Sequence, residues 1–364
     1  MRIATWNVAW FDTLFDDAGE PLLDDAPAEG VPGVIATRRQ RLEAIALVMK
    51  RLDADALLVV EAPNTGRRRS TVRALERFAA VAGLRTRRAL IGFPSPTHQE
   101  IALMWDPARL AVRHDPRGRA PGRRGLDEAP RFDGEFHLGA MPRDDAGRAA
   151  ADGETITFSK PPLELAVHVP GGLDLRMIGV HVKSKAPHGA ADPAEARRLA
   201  IAARIKQRAQ CLWLRQRIDS HLARGEPLIV LGDFNDGPGL DDFEELAGPS
   251  AIEIVIGAGR PARERLFDPA ALAALSAPST ARPTTARFRV EGDGGPRWVG
   301  ALLDYILVSA DLRPRERHWR IWHPFDDEGC YRDEPLRAAL LDASDHFPVS
   351  LDIDLESPPE GGAA

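Results

Sequence analysis

The sequence predicts an α+β fold in which helices cover the outer faces of β-sheets. Apolar runs of strand length dominate the 364 residues, and three helical patterns separate some of them. Several of these strands end in a polar residue of a type that can serve in catalysis. Without a fixed repeat or a linker, we expect one domain over residues 1–355 and a disordered tail at 356–364.

The composition is that of an ordinary globular protein. Apolar residues make up 44% of the chain, and the net charge of -6 gives no global attraction for nucleic acid, although it leaves room for local basic patches. Two cysteines, Cys211 and Cys330, are too few for a disulfide framework. The absence of an apolar leader or membrane span in this sequence favours a cytoplasmic protein, by default a monomer, and leaves a removed leader open.

The first third of the chain is predicted to alternate strands with helices. Residues 2–8 alternate between two faces and place Asn7 near the strand end. The spacing from Thr37 to Gln40 is that of a capping box and predicts the first helix. The other predicted elements are a strand at 56–61 that ends in Glu61, a helix capped by Ser70, and a strand at 100–105.

The middle of the chain contains long predicted loops and a clear strand–helix pair. Loop insertions are predicted near 12–34, 113–153 and 240–296, with strands at 155–158, 163–169 and 173–182. In the last of these strands, His181 and Lys183 lie on one face. A proline and a capping pattern at 192–195 predict a long helix that ends near Leu222.

The segment Pro227–Asp236 carries the clearest polar strand end. Its apolar run predicts a strand buried on both faces, after which Asp233 and Asn235 project together and Phe234 returns to the core. A carboxylate beside an amide could orient a water molecule, although a plain strand followed by a turn explains this segment equally well. The last predicted strands are 301–309, which carries Asp304, and 349–353, which follows Asp345 and His346.

Taken together, the polar strand ends form a set that turn formation alone does not require. They are Asn7, Glu61, His181, Asp233 with Asn235, and Asp304, followed by Asp345 and His346 before the last strand. Carboxylates such as Glu61 and Asp345 are hard oxygen ligands that suit Mg²⁺. The spacings of a zinc site, a P-loop and a Gly-x-Ser-x-Gly elbow are absent from the sequence.

In this order, the motifs resemble those of the endonuclease/exonuclease/phosphatase (DNase I-like) superfamily. The matching segments are Trp6-Asn7, Glu61, His181, Gly232-Asp-Phe-Asn235, Asp304-Tyr-Ile306 and Ser344-Asp-His346. The resemblance implies a four-layer α/β/β/α sandwich of two packed mixed sheets flanked by helices. It also implies that the active site lies at one edge, rimmed by the three insertions.

Finer features resemble the bacterial DNase I-like nucleases. His181-Val-Lys-Ser-Lys185 is similar to their His-Leu-Lys-Ser-Lys signature, and Glu61-Ala-Pro-Asn64 is similar to their Glu-x-x-Asn stretch. The segments around Glu100 and Lys160 resemble those that supply a glutamate behind the catalytic histidine and an arginine that touches phosphate. Lysine in place of that arginine keeps the charge but loses bidentate binding.

The resemblance implies roles in metal binding and in activation of water. Glu61 and Asp345, with Asn7, would hold Mg²⁺, for which Mn²⁺ or Ca²⁺ could substitute. Asp233 would take the proton of the attacking water, while Asn235 and Asn7 orient groups around the phosphate.

The remaining roles concern the phosphate and the leaving group. His346, held by Asp304, would bind the phosphate, and His181, supported by Glu100, would assist the leaving group. Two lysines complete the set as substrate contacts, Lys160 and Lys183. The sequence therefore predicts a metal-dependent phosphodiester hydrolase, foremost a nuclease that acts on DNA or RNA.

Three alternatives remain at this point. A phosphatase or phospholipid phosphodiesterase would share the chemistry, and a catalytically dead binding module would share the fold. The arginine runs at 67–69, 85–88 and 113–124 could follow a nucleic-acid backbone, although charge runs are more often solvated faces. Trp298, Trp319 and Trp322 could stack on a base, but packing in the core is favoured.

Overall fold

A computed structural model describes residues 1–119, 129–137, 155–186, 189–237, 249–276, 283–290 and 295–355. The predicted tail at 356–364 and much of the predicted loops at 113–153 and 240–296 lie outside these residues. Within them, no helix is both long and apolar enough to cross a membrane. Cys211 and Cys330 are both buried and unpaired.

Sixteen strands are described. In chain order they are β1 (Arg2–Asn7), β2 (Ala56–Ala62), β3 (Arg88–Ile91), β4 (Glu100–Trp105), β5 (Ala111–His114), β6 (Phe136–His137), β7 (Thr155–Ile156), β8 (Leu163–His168), β9 (Asp174–His181), β10 (Leu228–Asp233), β11 (Leu266–Phe267), β12 (Ala286–Val290), β13 (Arg297–Ala301), β14 (Asp304–Ser309), β15 (Glu316–Ile321) and β16 (Val349–Ile353).

The described α-helices are α1 (Arg38–Leu52), α2 (Thr71–Ala82), α3 (Pro193–Ala223), α4 (Ala251–Ile256), α5 (Pro269–Ser276), α6 (Glu328–Arg332) and α7 (Glu334–Ala343). Short 3-10 turns lie at Phe11–Leu14, Ala262–Glu264 and Arg313–Arg315. The predicted capping box is confirmed at α1, where the Thr37 and Gln40 side chains each accept a hydrogen bond from the other's backbone N–H. Asp192 caps α3 by accepting from the Glu195 N–H at 2.7 Å.

Two six-stranded mixed sheets form the centre of the fold. The first has the order β15-β16-β1-β2-β4-β3, and the second has the order β11-β14-β10-β9-β8-β5. Each contains one parallel pair near its middle, β1 with β2 and β9 with β10, while the other neighbours run antiparallel. Parallel strands deliver their carboxyl ends to the same edge of a sheet, which is where polar groups can converge.

Side-chain alternation along the strands builds the four layers. Leu58 of the first sheet and Leu231 of the second belong to one buried cluster that fills the space between the sheets. Trp6 points the other way, into a second cluster under α1, α2 and α7. Phe234 and Trp213 lie in a third, between the second sheet and α3 and α4. The predicted α/β/β/α arrangement is confirmed.

Several edge elements differ from those that the sequence predicts. The predicted loop that begins at Arg113 is wrong at its start, because Ala111–His114 pairs with β8 as an edge strand. Part of the predicted insertion at 240–296 forms a two-stranded hairpin, β12 with β13. The basic and aromatic stretch after residue 313 is β15, an edge strand of the first sheet. These strands were hard to recognise because edge strands carry polar side chains and lack long apolar runs.

Candidate active site

The polar strand ends predicted from the sequence meet where the two sheets open. Within the second sheet, the register places Asp233 opposite His181 on one neighbouring strand and opposite Asp304 on the other. Asn7 at the end of β1 donates from Nδ2 to Asp233 Oδ2 across a distance of 3.0 Å. Because β1 belongs to the first sheet, this bond joins the two sheets at their functional edge.

The turn after β10 depends on a glycine and a strained asparagine. Gly232 has φ of +135°, and a Cβ there would lie 2.1 Å from the Val180 carbonyl oxygen, so no side chain fits. Asn235 has φ of +50°, a left-handed conformation that non-glycine residues seldom adopt. Its backbone N–H donates to Asp233 Oδ1 at 2.8 Å and its Nδ2 donates to Asp233 Oδ2 at 3.1 Å. The strained turn therefore folds Asn235 back onto the Asp233 carboxylate.

The surroundings of Asp233 favour retention of a proton. Burial, followed by the charge of Asp304, raises the pKa of Asp233 to about 7, although His346 and the donors on Asn235 and Asn7 act in the opposite direction. A carboxyl group with a pKa near neutrality can both accept and release a proton at physiological pH. This property is what a base that activates water requires.

His346 is paired with Asp304, as the sequence reading expected. Its Nδ1 lies 2.8 Å from Asp304 Oδ2, and both residues are buried. Burial alone would lower the pKa of His346, but the Asp304 and Asp233 carboxylates outweigh it and raise that pKa to about 10. His346 is therefore an imidazolium cation at neutral pH, with Nδ1 committed to Asp304 and Nε2 left as a donor.

Backbone-directed bonds fix the segment that carries His346. The Ser344 hydroxyl donates to the Asn7 carbonyl oxygen at 2.8 Å, and the Trp6 indole donates to the His346 carbonyl oxygen at 2.9 Å. On the other side, Thr285 Oγ1 accepts from the Asp304 N–H at 3.0 Å. The segment before β16 is thereby held to β1, and the start of β14 is held to Thr285, directly before β12.

Glu61 lies at the more open side of the site. Its Oε2 accepts from the Trp10 N–H at 2.8 Å and from Gln99 Nε2 at 2.7 Å. Its Oε1 has a long contact of 3.4 Å to Asn7 Nδ2 and lies 4.0 Å from His181 Nε2. One carboxylate oxygen is thus fixed by two donors, while the other faces the interior of the site.

Two residues at this side were not assigned roles from the sequence. Gln99 orients the Glu61 carboxylate, and Arg41, which is fully buried, donates to the backbone carbonyl oxygens of Val8, Ala9 and Ala343. Burial lowers the pKa of Arg41 to about 10 against the opposing charges of Asp345 and Glu61. Local sequence carries no signal for either residue, except that Gln99 directly precedes a predicted strand.

His181 is in a different environment from His346. Its Nε2 lies 3.1 Å from Lys160 Nζ and 3.6 Å from Asp233 Oδ2. Burial, followed by the charge of Lys160, lowers the pKa of His181 well below its ordinary value, so its imidazole is neutral. The Lys160 ammonium can then donate to the Nε2 lone pair. Lys160 is therefore brought into the site.

Glu100 is not placed behind His181. Its two carboxylate oxygens accept from the Ser95 N–H at 2.9 Å and the Thr65 N–H at 3.3 Å. His181 Nδ1 is buried and has no hydrogen-bond partner. Burial raises the pKa of Glu100 to about 7, and the two backbone donors oppose this shift only partly. The contacts of Glu100 tie two loops together and do not support the histidine.

Asp345 and Lys183 lie beside the core of the site. The Asp345 backbone carbonyl oxygen accepts from the Arg287 N–H at 2.7 Å, and its charge raises the pKa of both Arg41 and His346. Lys183 follows His181 on the same face, and its backbone N–H donates to Gln210 Oε1 at 2.9 Å. Both side chains are partly exposed.

One group of three side chains in the described residues could hold a cation. Ligand atoms of Asp233, Asp304 and His346 lie within 4.8 Å of one another. His346 Nδ1 and Asp304 Oδ2 are committed to each other, and Glu61, outside this group, presents Oε1 toward the interior of the site. The Asn7 side chain turns its Nδ2 toward Glu61 and Asp233 and its Oδ1 toward the Ala9 N–H at 2.9 Å, so it acts here as a donor.

The β12–β13 hairpin brings part of the 240–296 insertion to the site. The Phe288 ring meets the His346 ring edge-on at 5.6 Å. On the outer side, Trp298 is 46% exposed and carries the Arg287 guanidinium 4.2 Å above its ring. The expectation that Trp298 packs in the core is therefore wrong, whereas Trp322 is buried as expected.

Comparison with solved structures gives similar folds at low sequence identity. TDP2 from Caenorhabditis elegans is 16% identical with a TM-score of 0.48, covering 96% of this chain and 74% of that one. The 3′ phosphatase NExo from Neisseria, bound to a product DNA hairpin, is 16% identical with a TM-score of 0.45, covering 97% and 99%. An AP endonuclease from Archaeoglobus fulgidus is 13% identical with a TM-score of 0.45, covering 98% and 100%.

A search of curated proteins found no significant match. The family comparison, in contrast, matches residues 4–346, which include every strand end of the site from Asn7 to His346. The chain therefore belongs to the endonuclease/exonuclease/phosphatase family and is a hydrolase of phosphate ester bonds.

Proposed function

We propose that this protein is a Mg²⁺-dependent phosphodiesterase that cleaves nucleic acid. The observation that carries the proposal is the placement of Asp233, with a pKa near 7, between a neutral histidine and a cationic histidine. This arrangement supplies a base, a proton-accepting nitrogen and a positive charge around one point. Hydrolysis of a phosphodiester by water needs a base for the water, a positive charge at a phosphoryl oxygen and a proton for the departing oxygen, which the Lys160 ammonium beside His181 can supply.

The donor chemistry fits a hard divalent cation. Glu61 presents Oε1 toward the interior while its other oxygen is held by Gln99 and the Trp10 N–H. Asp345 supplies further negative charge nearby. Oxygen ligands of this kind suit Mg²⁺ or Mn²⁺. When bound, the ion would withdraw charge from a phosphoryl oxygen.

Side chains of the protein would then activate the water and stabilise the charge on the phosphoryl group. Asp233 accepts the proton of the attacking water, and Asn235 and Asn7 hold that carboxylate in one orientation. His346 directs its protonated Nε2 at a phosphoryl oxygen, since Nδ1 is committed to Asp304. A cationic donor at this oxygen stabilises the charge of the transition state.

The leaving group is served by the second histidine and a lysine. The Lys160 ammonium lies 3.1 Å from His181 Nε2 and can donate a hydrogen bond either to that nitrogen or to an oxygen of the substrate phosphate. The departing oxygen would take a proton from the Lys160 ammonium, because the unprotonated Nε2 of His181 has none to donate, and the lysine would regain its proton from solvent. Lys183, one step further along the same face, would contact the next phosphate.

The proposal is tested by a substrate panel with Mg²⁺. Double- and single-stranded DNA, RNA, inositol phosphates and sphingomyelin are incubated with wild type, Asp233→Ala and Glu61→Gln. We expect cleavage of nucleic acid by wild type, loss of turnover in Asp233→Ala, and in Glu61→Gln a Mg²⁺ requirement raised about 10- to 100-fold.

Two results would contradict the proposal. Turnover restricted to inositol phosphates or sphingomyelin would identify a small-ester phosphatase or lipid phosphodiesterase. No turnover of any substrate over a range of divalent metals, together with no Mg²⁺ or Mn²⁺ binding that depends on Glu61, would instead identify a binding module.

A further inference from the structure

Helix α3 is longer than the sheet it covers. Its 31 residues extend over about 46 Å. From Gln207 onward the helix packs on the second sheet, whereas Ile201 and Ile205 in its first half are 41% and 49% exposed. The first half of α3 therefore projects from the body of the protein with one side uncovered.

This projecting half is strongly basic. Residues 194–208 contain five cationic side chains and one carboxylate, a local net charge of +4 in a chain whose total is -6. The cations are Arg197, Arg198, Arg204, Lys206 and Arg208, and the carboxylate is Glu195. A concentration of one sign against the overall charge marks a site of electrostatic attraction.

The basic helix is continuous with the active site. Gln207 Nε2 donates to the carbonyl oxygens of Lys183 at 2.9 Å and Asn235 at 3.0 Å, which locks α3 to the catalytic strand ends. Lys206 directly precedes Gln207, which contacts Lys183, and the charge of Lys206 lowers the pKa of Lys183 beyond the larger effect of burial. Lys183 in turn lowers the pKa of Lys160, beyond the larger effect of burial. Lys160, Lys183 and Lys206 thus form a series of cations that extends from His181 to α3.

These cations differ from the arginine runs that attract attention in the sequence. Arg69 is paired with Asp12 and Asp17, and Arg85 is paired with three aspartates. We call Lys183, Lys206, Arg197 and Arg198 the cationic track. In the described part of the chain, by contrast, none of these four side chains forms an ion pair with a carboxylate. Unpaired cations remain available for an external polyanion.

We propose that the cationic track binds the sugar–phosphate backbone of the nucleic-acid substrate beside the scissile phosphate. This inference rests on the proposed function and names the surface that selects a polymer over a small ester. Lys206 and Arg197 lie about 13 Å apart along α3 and on opposite flanks of the helix, with Arg198 between them, so a backbone held by all three would cross the helix.

An anionic membrane would be the competing partner of a basic helix. Helices that lie in a membrane surface separate an apolar face from a charged one. Here the exposed Ile201 and Ile205 are one turn apart, and Arg197, Arg198 and Arg208 lie within about 100° of one another around the same side of the helix, so charged and apolar side chains occupy one face. Mixing of charged and apolar positions around the helix favours the nucleic-acid backbone.

The test removes three charges from the track and compares the result with removal of three charges elsewhere. Arg197→Gln, Arg198→Gln and Lys206→Gln are combined in an Asp233→Asn background, so that a labelled DNA duplex of about 20 base pairs stays intact in Mg²⁺. The matched control combines Arg263→Gln, Arg317→Gln and Arg332→Gln, three exposed arginines in surface ion pairs. Glutamine preserves helix propensity, and thermal unfolding verifies folding.

We expect the track variant to bind the duplex at least tenfold more weakly near 50 mM salt and to lose about three units of slope in log affinity against log salt. The control triple should bind like its parent. Equal losses in both triples, or none in either, would overturn the proposal. Binding to phosphatidylserine vesicles, but not to DNA, that is lost in the track variant would overturn it in favour of a membrane.

This experiment separates the inference from the proposed function, because binding is measured without turnover. Track-dependent binding of DNA by a wild-type protein that cleaves no nucleic acid would refute the nuclease assignment and support the track. Cleavage of DNA by wild type, together with equal DNA binding by the track variant and its parent, would support the nuclease assignment and refute the track. A small ester such as bis(p-nitrophenyl) phosphate, if hydrolysed, should be hydrolysed equally by the track variant with Asp233 restored.

Discussion

Two histidines face the same carboxylate from opposite sides and are in opposite charge states. His346 has Asp304 on Nδ1, and the surrounding carboxylates raise its pKa to about 10. His181 is equally buried, but its Nδ1 has no partner and Lys160 lies on its Nε2, so its pKa falls well below the ordinary value. Burial is therefore common to both, and the neighbouring charge decides the protonation state.

This difference indicates how one residue type can take two roles in one site. A carboxylate partner converts His346 into a fixed cation with one donor, whereas a cationic partner keeps His181 neutral and able to accept a proton. Asp233, which lies between them, has a pKa of about 7.

The largest effect is expected from Asp233→Asn, which removes the shared carboxylate. The amide cannot accept a proton, so we expect turnover to fall about 10³-fold while the protein stays folded. Single-turnover kinetics on a DNA substrate with Mg²⁺ would measure this loss. A fall of less than tenfold would show that another group activates the water.

Asp304→Asn is expected to abolish the contrast between the histidines. Without the carboxylate, the pKa of His346 should fall from about 10, because burial then acts with less opposition. Turnover should fall about 100-fold. The pKa of His346 is measured by NMR on the metal-free protein, and an unchanged pKa would contradict the pairing as its cause.

A smaller effect is expected from Lys160→Met, which removes the charge beside His181. Loss of a charge-assisted hydrogen bond should lower kcat/KM about 10- to 100-fold and raise the pKa of His181, though burial keeps it below the ordinary value. Lys160→Arg should retain most of the activity. If Lys160→Met matched wild type, Lys160 would have no part in phosphate binding.

Much of this site could be predicted from sequence because strand periodicity is strict. The side of the sheet on which Asp233 and Asn235 lie follows from the two-residue repeat, and the strand β4 was predicted with its observed bounds. The pairing of His346 with Asp304 came from the family resemblance. Such features depend on one segment or on an ordered set of motifs.

The residues that were missed reach the site through tertiary packing. Arg41 lies on helix α1, and Gln99 reaches Glu61 from the loop directly before β4, so no local pattern indicates either contact. Glu100 was assigned by likeness of its segment, but its carboxylate turns toward two loop N–H groups. The β12 strand did carry a signal, since Ala286, Phe288 and Val290 alternate with arginines.

The smallest effect on activity is expected from Asp268→Asn, a buried carboxyl without a histidine. Burial raises the pKa of Asp268 to about 6, above its value in the unfolded chain. The unfolded state therefore releases this proton first, so wild-type stability should fall by about 2 to 3 kcal/mol as pH rises from about 4 to 6.

In Asp268→Asn that portion of the pH dependence should disappear while kcat stays unchanged. Urea unfolding of both proteins at several pH values would measure the difference in slope. Identical slopes would show that the carboxyl is ionised throughout, and that its three backbone donors outweigh burial.

The bond from the Ser344 hydroxyl to the Asn7 carbonyl oxygen has a consequence for the timing of activity. It joins residues 337 positions apart, and the His346 that it helps to position is among the last site groups to be synthesised. A nascent chain that ends before Ser344 lacks both the imidazole beside Asp304 and β16, the partner for one side of β1. The site is therefore complete only after nearly the whole domain has left the ribosome.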